Sequence, residues 1–300
     1  MTIIDTHVHI YDPHRPEGAP WPPEDSSIYR TVLPADCRAV AEPEGVSGVV
    51  VVEASERISD NDWILGLAAE EPFLKALVGR LEPGVDSFAP DVARFAQNPR
   101  FRGIRFWGDH LPGGRGSGGA FVDIEGGGLL AEMEVLAGHG LHLDIVFPVN
   151  YPNEAPAAAA DRLAGFCALA ERLPELPIVI EHIANVPIDG GDPPPAWVDA
   201  MQRAASFPQV AIKVSAVIER STVQPPSTDL DHYRPVLDTL WSAFGDDRVV
   251  YGSNWPVCER AGSYADAISV VRRYVGERGE AAAAKYFAGN AARIYRWPTA

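Results

Sequence analysis

The sequence predicts an α/β fold of the TIM-barrel class: a (β/α)8 barrel spanning residues 1–300 as one domain, with long loops at the C-terminal rim of its strands. Three observations predict it. Eight short β-branched and aliphatic runs alternate with helical stretches from one end of the chain to the other. Most of those runs are continuously apolar, as strands covered on both faces of a parallel sheet are. Eight such units also fit 300 residues, near the roughly 250 usual for this architecture.

The strand runs are Thr2–His9, Ser47–Glu53, Lys75–Leu81, Phe101–Trp107, Leu141–Phe147, Pro177–His182, Gln209–Ser215 and Arg248–Ser253. Helical stretches follow them in turn: Pro34–Ala41, Asp60–Glu70, Ser87–Gln97, Gly128–Ala137, Ala155–Arg172, Pro195–Ala205, His232–Phe244 and Tyr264–Arg273, with Ala281–Asn290 closing the chain. Gly138-His139-Gly140 reads as a helix C-terminus with glycine as the left-handed cap. A doubly wound open sheet competes, but no glycine-rich phosphate loop follows the first strand. The Gly/Pro-rich stretches Tyr11–Ser27, Gly108–Gly119, Ile188–Pro195 and Val217–Asp231 each follow a strand. In a barrel all four lie at the rim that carries substrate loops.

Composition narrows the function. Twenty-five basic residues against 41 acidic give a net charge of −16, which argues against nucleic acid and anionic membranes as partners. A small-molecule substrate is expected, in a cytoplasmic protein, and a homo-oligomer is compatible with the sequence. At 46% hydrophobic and 22% charged the chain can build a full core. Three scattered cysteines make neither a disulfide framework nor a zinc ribbon. No apolar run approaches 18 residues, and the N-terminus enters a strand pattern without the basic segment of a signal peptide.

The chemistry-bearing residues lie at strand ends. His7 and His9, two apart, aim at one side of the first strand, which at the top of a barrel is the interior. A pair there is poorly explained as packing and points to a metal or acid–base site. His182 ends the sixth strand and shares parity with Ile178 and Ile180, which adds a third imidazole from the opposite wall.

The ordered set Asp5-Thr6-His7-Val8-His9, Glu181-His182 and Tyr251-Gly252-Ser253-Asn254-Trp255-Pro256 resembles the amidohydrolase superfamily. The resemblance is to its amidohydrolase-related branch, which includes pyrone-dicarboxylate and sugar-acid lactonases and some decarboxylases. Arg102-Gly103-Ile104-Arg105 is similar to the lactonase members too. The resemblance implies a slightly distorted barrel, water-dependent opening of a lactone, ester or amide, and one divalent metal, Zn²⁺ by first choice, on His7, His9 and His182. Action without metal stays open, with the histidines polarising the carbonyl directly. A non-oxidative decarboxylase on the same scaffold and a non-catalytic binding protein are the alternatives.

Two departures from the family pattern matter. The eighth strand usually carries an Asp that binds metal and takes a proton from water. Here Asn254 stands there, able to orient water but not to act as a base. Strand four has no Lys to bridge two metals, so a binuclear site is not expected. A substitute base is sought at Glu53, a charge at the tip of the apolar run Val49–Val52. Lys213 is expected to pair with Glu53 or to hold an anionic substrate, and Arg105 to clamp a carboxylate. Trp107, Tyr11 and Trp255 offer faces for a flat substrate. His142 and Asp144, at the start of strand five, read as structural. Cys258 has no evident activating base.

Overall fold

The computed structural model describes residues 1–107, 128–146 and 156–298. The rim stretch Gly108–Gly119 with His110, and the strand and helix ends at Phe147 and Ala155, lie outside the described residues. Eight parallel strands run in sequential order: β1 (Ile3–Val8), β2 (Val46–Val52), β3 (Leu74–Gly79), β4 (Phe101–Trp107), β5 (His142–Val146), β6 (Ile178–Ile180), β7 (Val210–Val214) and β8 (Val249–Tyr251). The ladder closes beyond β8, where Val8 bridges Trp255. There the His9 N–H donates to the Trp255 carbonyl at 2.8 Å and the Asn254 N–H to the His7 carbonyl at 2.9 Å. The segment that seals the barrel is therefore the one that places Asn254.

The helices are α1 (Pro34–Ala41), α2 (Ser59–Glu70), α3 (Phe88–Phe95), α4 (Gly128–Gly138), α5 (Pro156–Arg172), α6 (Pro195–Ala205), α7 (Arg234–Phe244), α8 (Tyr264–Glu277), α9 (Glu280–Ala284) and α10 (Asn290–Tyr295). Several starts follow local chemistry. Proline occupies the first helical position of α1 and α6, where its missing N–H costs nothing. Ser263 and Asp266 form a reciprocal capping box on α8. Gly140, at φ +68°, takes the left-handed turn after α4.

The closing helix runs further than its sequence signals suggest. A π-turn at Lys285–Gly289 carries α9 into α10. Asn290 does not stop the helix; its Nδ2 donates to the carbonyls of Asp246 (2.7 Å) and Val249 (2.8 Å). The extension is anchored under the barrel.

Two apolar layers result. Ile178, Ile180, Ile212 and their counterparts pack outward against the helices, while Val50, Val52, Ala76, Val78, Val179, Ala211 and Val250 fill the interior. Ala291, Ile294 and Tyr295 of α10 join that inner cluster and floor the barrel, with Arg102 Nε donating to the Tyr295 carbonyl at 2.8 Å. Among the described residues no helix is long and apolar enough to cross a membrane.

Candidate active site

His7 and His9 leave the end of β1 toward the interior, their Nε2 atoms 3.3 Å apart. Both Nδ1 atoms are committed. That of His9 donates to the Val52 carbonyl (3.1 Å), and that of His7 to Glu181 Oε1 (3.2 Å). An ionised carboxylate only accepts, which puts the His7 proton on Nδ1. Lys213 Nζ also lies 3.4 Å from that nitrogen, at the long edge of hydrogen-bond range. Two bare Nε2 lone pairs thus face each other.

His182 arrives by a different route from the one its parity suggests. Ile178 and Ile180 face the helices, and Val179 faces the interior, so Glu181 continues the inward row. The strand then ends, and four consecutive residues from His182 to Asn185 take φ between 50° and 55°. This left-handed turn costs roughly 1–2 kcal/mol per residue, and it swings the His182 ring back over the barrel mouth. Its holding bonds include His182 N–H to Ser215 Oγ (3.2 Å) and Trp197 Nε1 to the Ile183 carbonyl (3.1 Å). His182 Nδ1 lies 2.9 Å from Ser215 Oγ, and Arg105 Nη2 donates toward Nε2 at 3.3 Å. Its ring centre is 4.4 Å from that of His7.

Glu181, which the sequence marks only as the first half of the Glu181-His182 motif, is the hub of the charges. It has no solvent exposure. Arg105 Nε reaches its Oε2 at 2.7 Å and Lys213 Nζ its Oε1 at 3.3 Å. Burial alone would raise its carboxyl, but Arg105, His7 and Lys213 hold it well below the usual carboxylate range. The available signal was a charge closing the apolar run Ile178–Ile180, of the kind that drew attention to Glu53.

The other expected residues fall into two sets. Glu53, Arg105, Trp107, His9, His182 and Asn254 line a cleft of about 880 Å³ at the barrel mouth. Arg105 Nη1 is 3.5 Å from Glu53 Oε1, and its guanidinium sits 4.9 Å from the Trp107 ring centre. Burial raises the Glu53 carboxyl, against the pull of Arg105 and Arg80. Lys213 and Tyr11 do not line the cleft. Lys213 is enclosed below it, 2.6 Å from Asp144 Oδ2, not paired with Glu53. Tyr11 is buried behind Trp21, its hydroxyl donating to the Ile28 carbonyl at 2.7 Å. Trp255 is buried too, donating to Glu259 Oε1 at 2.8 Å. Trp21 lines the cleft against the His9 ring; its Pro-rich loop gave no periodicity from which to find it.

Burial pushes the histidines below their ordinary range, His9 to about 4, with Arg105 adding to the effect there. His7 and His182 are also held well below it, by burial first and by neighbouring cations. The uncharged rings are thus favoured at neutral pH; the Nε2 atoms of His7 and His9 face each other, and that of His182 meets Arg105 Nη2.

The site fits a divalent cation. Metal–nitrogen bonds of about 2.0–2.1 Å in a tetrahedron put two nitrogens about 3.3–3.4 Å apart, which matches the His7–His9 separation. Oxygen partners on the Nδ1 atoms are the outer contacts that orient ligating histidines. His7, Glu181 and His182 also bring one potential ligand atom each within 4.8 Å of one another. Glu181, Asp144 and Glu53 against Arg105 and Lys213 leave one negative charge over among these five groups. Gly252 permits the crowding, because a Cβ there would lie 2.7 Å from His7 Cβ.

Residues 4–297 match the amidohydrolase family. The chain belongs to it. As a member it is an amidohydrolase-type hydrolase. It is 31% identical over 302 residues to an L-fucono-1,5-lactonase of Burkholderia ambifaria, covering 98% of this chain and 95% of that protein. Among solved structures, an amidohydrolase from Burkholderia multivorans with bound zinc superposes with a TM-score of 0.82 at 24% identity, over 99% of this chain and 100% of the other. A putative 2-pyrone-4,6-dicarboxylic acid hydrolase from Pseudomonas putida gives 0.73 at 21%, over 100% and 99%. These two likenesses carry the fold. Family members generally bind a divalent metal, as this donor set permits.

Proposed function

We propose that this amidohydrolase opens the lactone of a sugar acid by adding water to its carbonyl. The observation that carries the reading is the convergence of His7, His9 and His182 at the barrel mouth, with the Nε2 atoms of His7 and His9 3.3 Å apart and the His182 ring against that of His7. The likeness to an L-fucono-1,5-lactonase supports a six-membered sugar lactone as the substrate class. The cleft suits one: Trp21 and Trp107 give apolar faces for a sugar ring.

His7, His9 and His182 would hold the divalent metal, Zn²⁺ by first choice. When bound, such a cation supplies Lewis-acid polarisation and acidifies water. The chain's residues do the rest. Glu53, a buried carboxyl at the cleft wall with a raised pKa, accepts the proton of the attacking water, since a base tuned upward works nearer neutral pH. Asn254 orients that water. Arg105 faces the substrate while Glu181 and Glu53 neutralise much of its charge, so it donates hydrogen bonds more than it clamps an anion. A substrate carboxylate would instead meet Arg220, which lines the cleft and makes no salt bridge among the described residues.

The test is a pH-indicator screen of sugar-acid 1,5- and 1,4-lactones and a pyrone dicarboxylate, with metal analysis of the same preparation. Acid release from a sugar lactone is the expected result. Carbon dioxide evolved from an aromatic acid, with no lactone opened, would replace this reading with decarboxylation.

A further inference from the structure

Asn254 poses a chemical problem that its surroundings resolve. It ends the sealing segment at φ 61° and lines the cleft. Its side chain has one accepting end and one donating end, whereas the carboxylate expected at this place accepts at both. Left alone, the amide could turn either end toward the substrate.

It is not left alone. Asn254 Nδ2 donates to Glu219 Oε1 at 2.8 Å. Glu219 lies on the segment after β7 and does not line the cleft. Its second oxygen, Oε2, is shut from solvent and has no hydrogen-bond partner among the described residues. A buried carboxyl with one oxygen unsatisfied is costly, and no packing need calls for a charge there. The ionic partner on its own segment is Arg220, which reaches it only through the longer-range attraction between their charges. Its one direct polar side-chain contact among the described residues is with Asn254.

We propose that Glu219 is a positioning residue for the hydrolysis. Its Oε1 holds the Asn254 amide with Nδ2 turned away from the cleft, so that Oδ1 is a fixed acceptor beside His9 at the cleft. Asn254 and Glu219 together thus supply what one aspartate would: an accepting oxygen at the mouth and a carboxyl, moved one side chain back. The inference rests on the lactone-hydrolase reading for its reaction, but the Asn254–Glu219 geometry does not depend on it.

The experiment compares Glu219→Leu, Glu219→Gln, Asn254→Asp and the exchange Asn254→Asp/Glu219→Gln, on a lactone the wild type opens. Losing a hydrogen bond to a charged acceptor predicts that Glu219→Leu lowers kcat by about 10-fold or more, with KM within about threefold. Glu219→Gln keeps an acceptor oxygen at the same reach and should stay within about threefold of wild type. Asn254→Asp sets two carboxyls where one hydrogen bond stood, and should be impaired until Glu219→Gln supplies a donor. The exchange variant should therefore exceed Asn254→Asp by about 10-fold. A residue that only packs would not show this reciprocity. Should Glu219→Leu fail to fold, the exchange pair decides.

Wild-type kcat in folded Glu219→Leu, or an exchange variant no better than Asn254→Asp, overturns the proposal. If the wild type opens no lactone, the hydrolytic reading fails, and NMR of the Asn254 side-chain amide judges the geometry separately. The Nδ2 proton bonded to residue 219 should lie downfield in wild type and Glu219→Gln, and move to the position of a free amide in Glu219→Leu. Identical spectra in all three would overturn the contact itself.

Discussion

Arg105 Nε and Glu181 Oε2 lie 2.7 Å apart inside the barrel, one from β4 and the other from the end of β6, with the carboxylate shut from solvent. The pair joins two walls of the barrel, and through Lys213 it is continuous with Asp144 on β5.

Removing the hub should therefore cost stability as well as activity. Glu181→Gln leaves Arg105 and Lys213 undercompensated in a dry interior and takes the ionic acceptor from His7 Nδ1. Breaking one side of a buried pair costs about 3–5 kcal/mol, and urea unfolding should show a loss of that order. A loss below about 1 kcal/mol would mean that the network is wetter than its burial implies.

His7→Ala and His9→Ala should each lower turnover by at least ~10²-fold while circular dichroism stays that of the folded protein. Zn²⁺ affinity, read by competition with a chelating dye, should fall in parallel. Near-normal turnover with zinc retained in either variant excludes that histidine as a ligand.

Cys258→Ser should leave activity within about threefold. The thiol is fully buried, and burial pushes its pKa well above the ordinary value, with Glu219 adding to the effect, so little reactive thiolate exists at neutral pH. Iodoacetamide should not label Cys258 in the folded protein; stoichiometric labelling with loss of activity would reopen a nucleophilic role.

Glu219→Gln should change how stability varies with pH. Burial raises the Glu219 carboxyl from 4.5 to about 7, against the pull of Asn254 and Arg220. The folded state thus holds this proton more tightly than the unfolded state. Below about pH 4.5 both are protonated and nothing is lost. As pH rises from there toward 7 the unfolded carboxyl ionises first, and the folded state loses stability. Relative to Glu219→Gln, wild type should lose roughly 1–3 kcal/mol across that window and hold steady above it. Parallel stability profiles for the two proteins from pH 4.5 to 7 would show that Glu219 titrates normally.

The barrel was legible because its evidence is repeated eight times. Each strand announces itself by an apolar run, and the eight runs agree with the observed strands to within two residues at either end. The His7–His9 pair was legible because a strand's period of two survives to the end of β1. His182 shows where that reasoning stops. Parity holds only while the chain is extended, and β6 ends at Ile180. Glu181 still points inward from the extended chain, and the left-handed turn that follows brings His182 to the same site, although a continued strand would have sent the two to opposite faces. Trp21 and Glu219 lie on rim loops, where position is set by tertiary contacts that no local period encodes.

The floor made by α10 ties the strength of the interior ion pairs to the far end of the chain. Tyr295 packs against the His142 ring and lies with its hydroxyl 3.3 Å from Asp144 Oδ2, yet 151 residues separate it from that aspartate. All eight strands precede it in the chain. Until it docks, water has access from below to the Lys213–Asp144 pair, and attraction between charges is weakest in a high-dielectric surround. The ion pairs that brace the catalytic end thus reach full strength only when the opposite end is plugged. A loosened C-terminal helix would therefore be felt at the opposite end of the barrel.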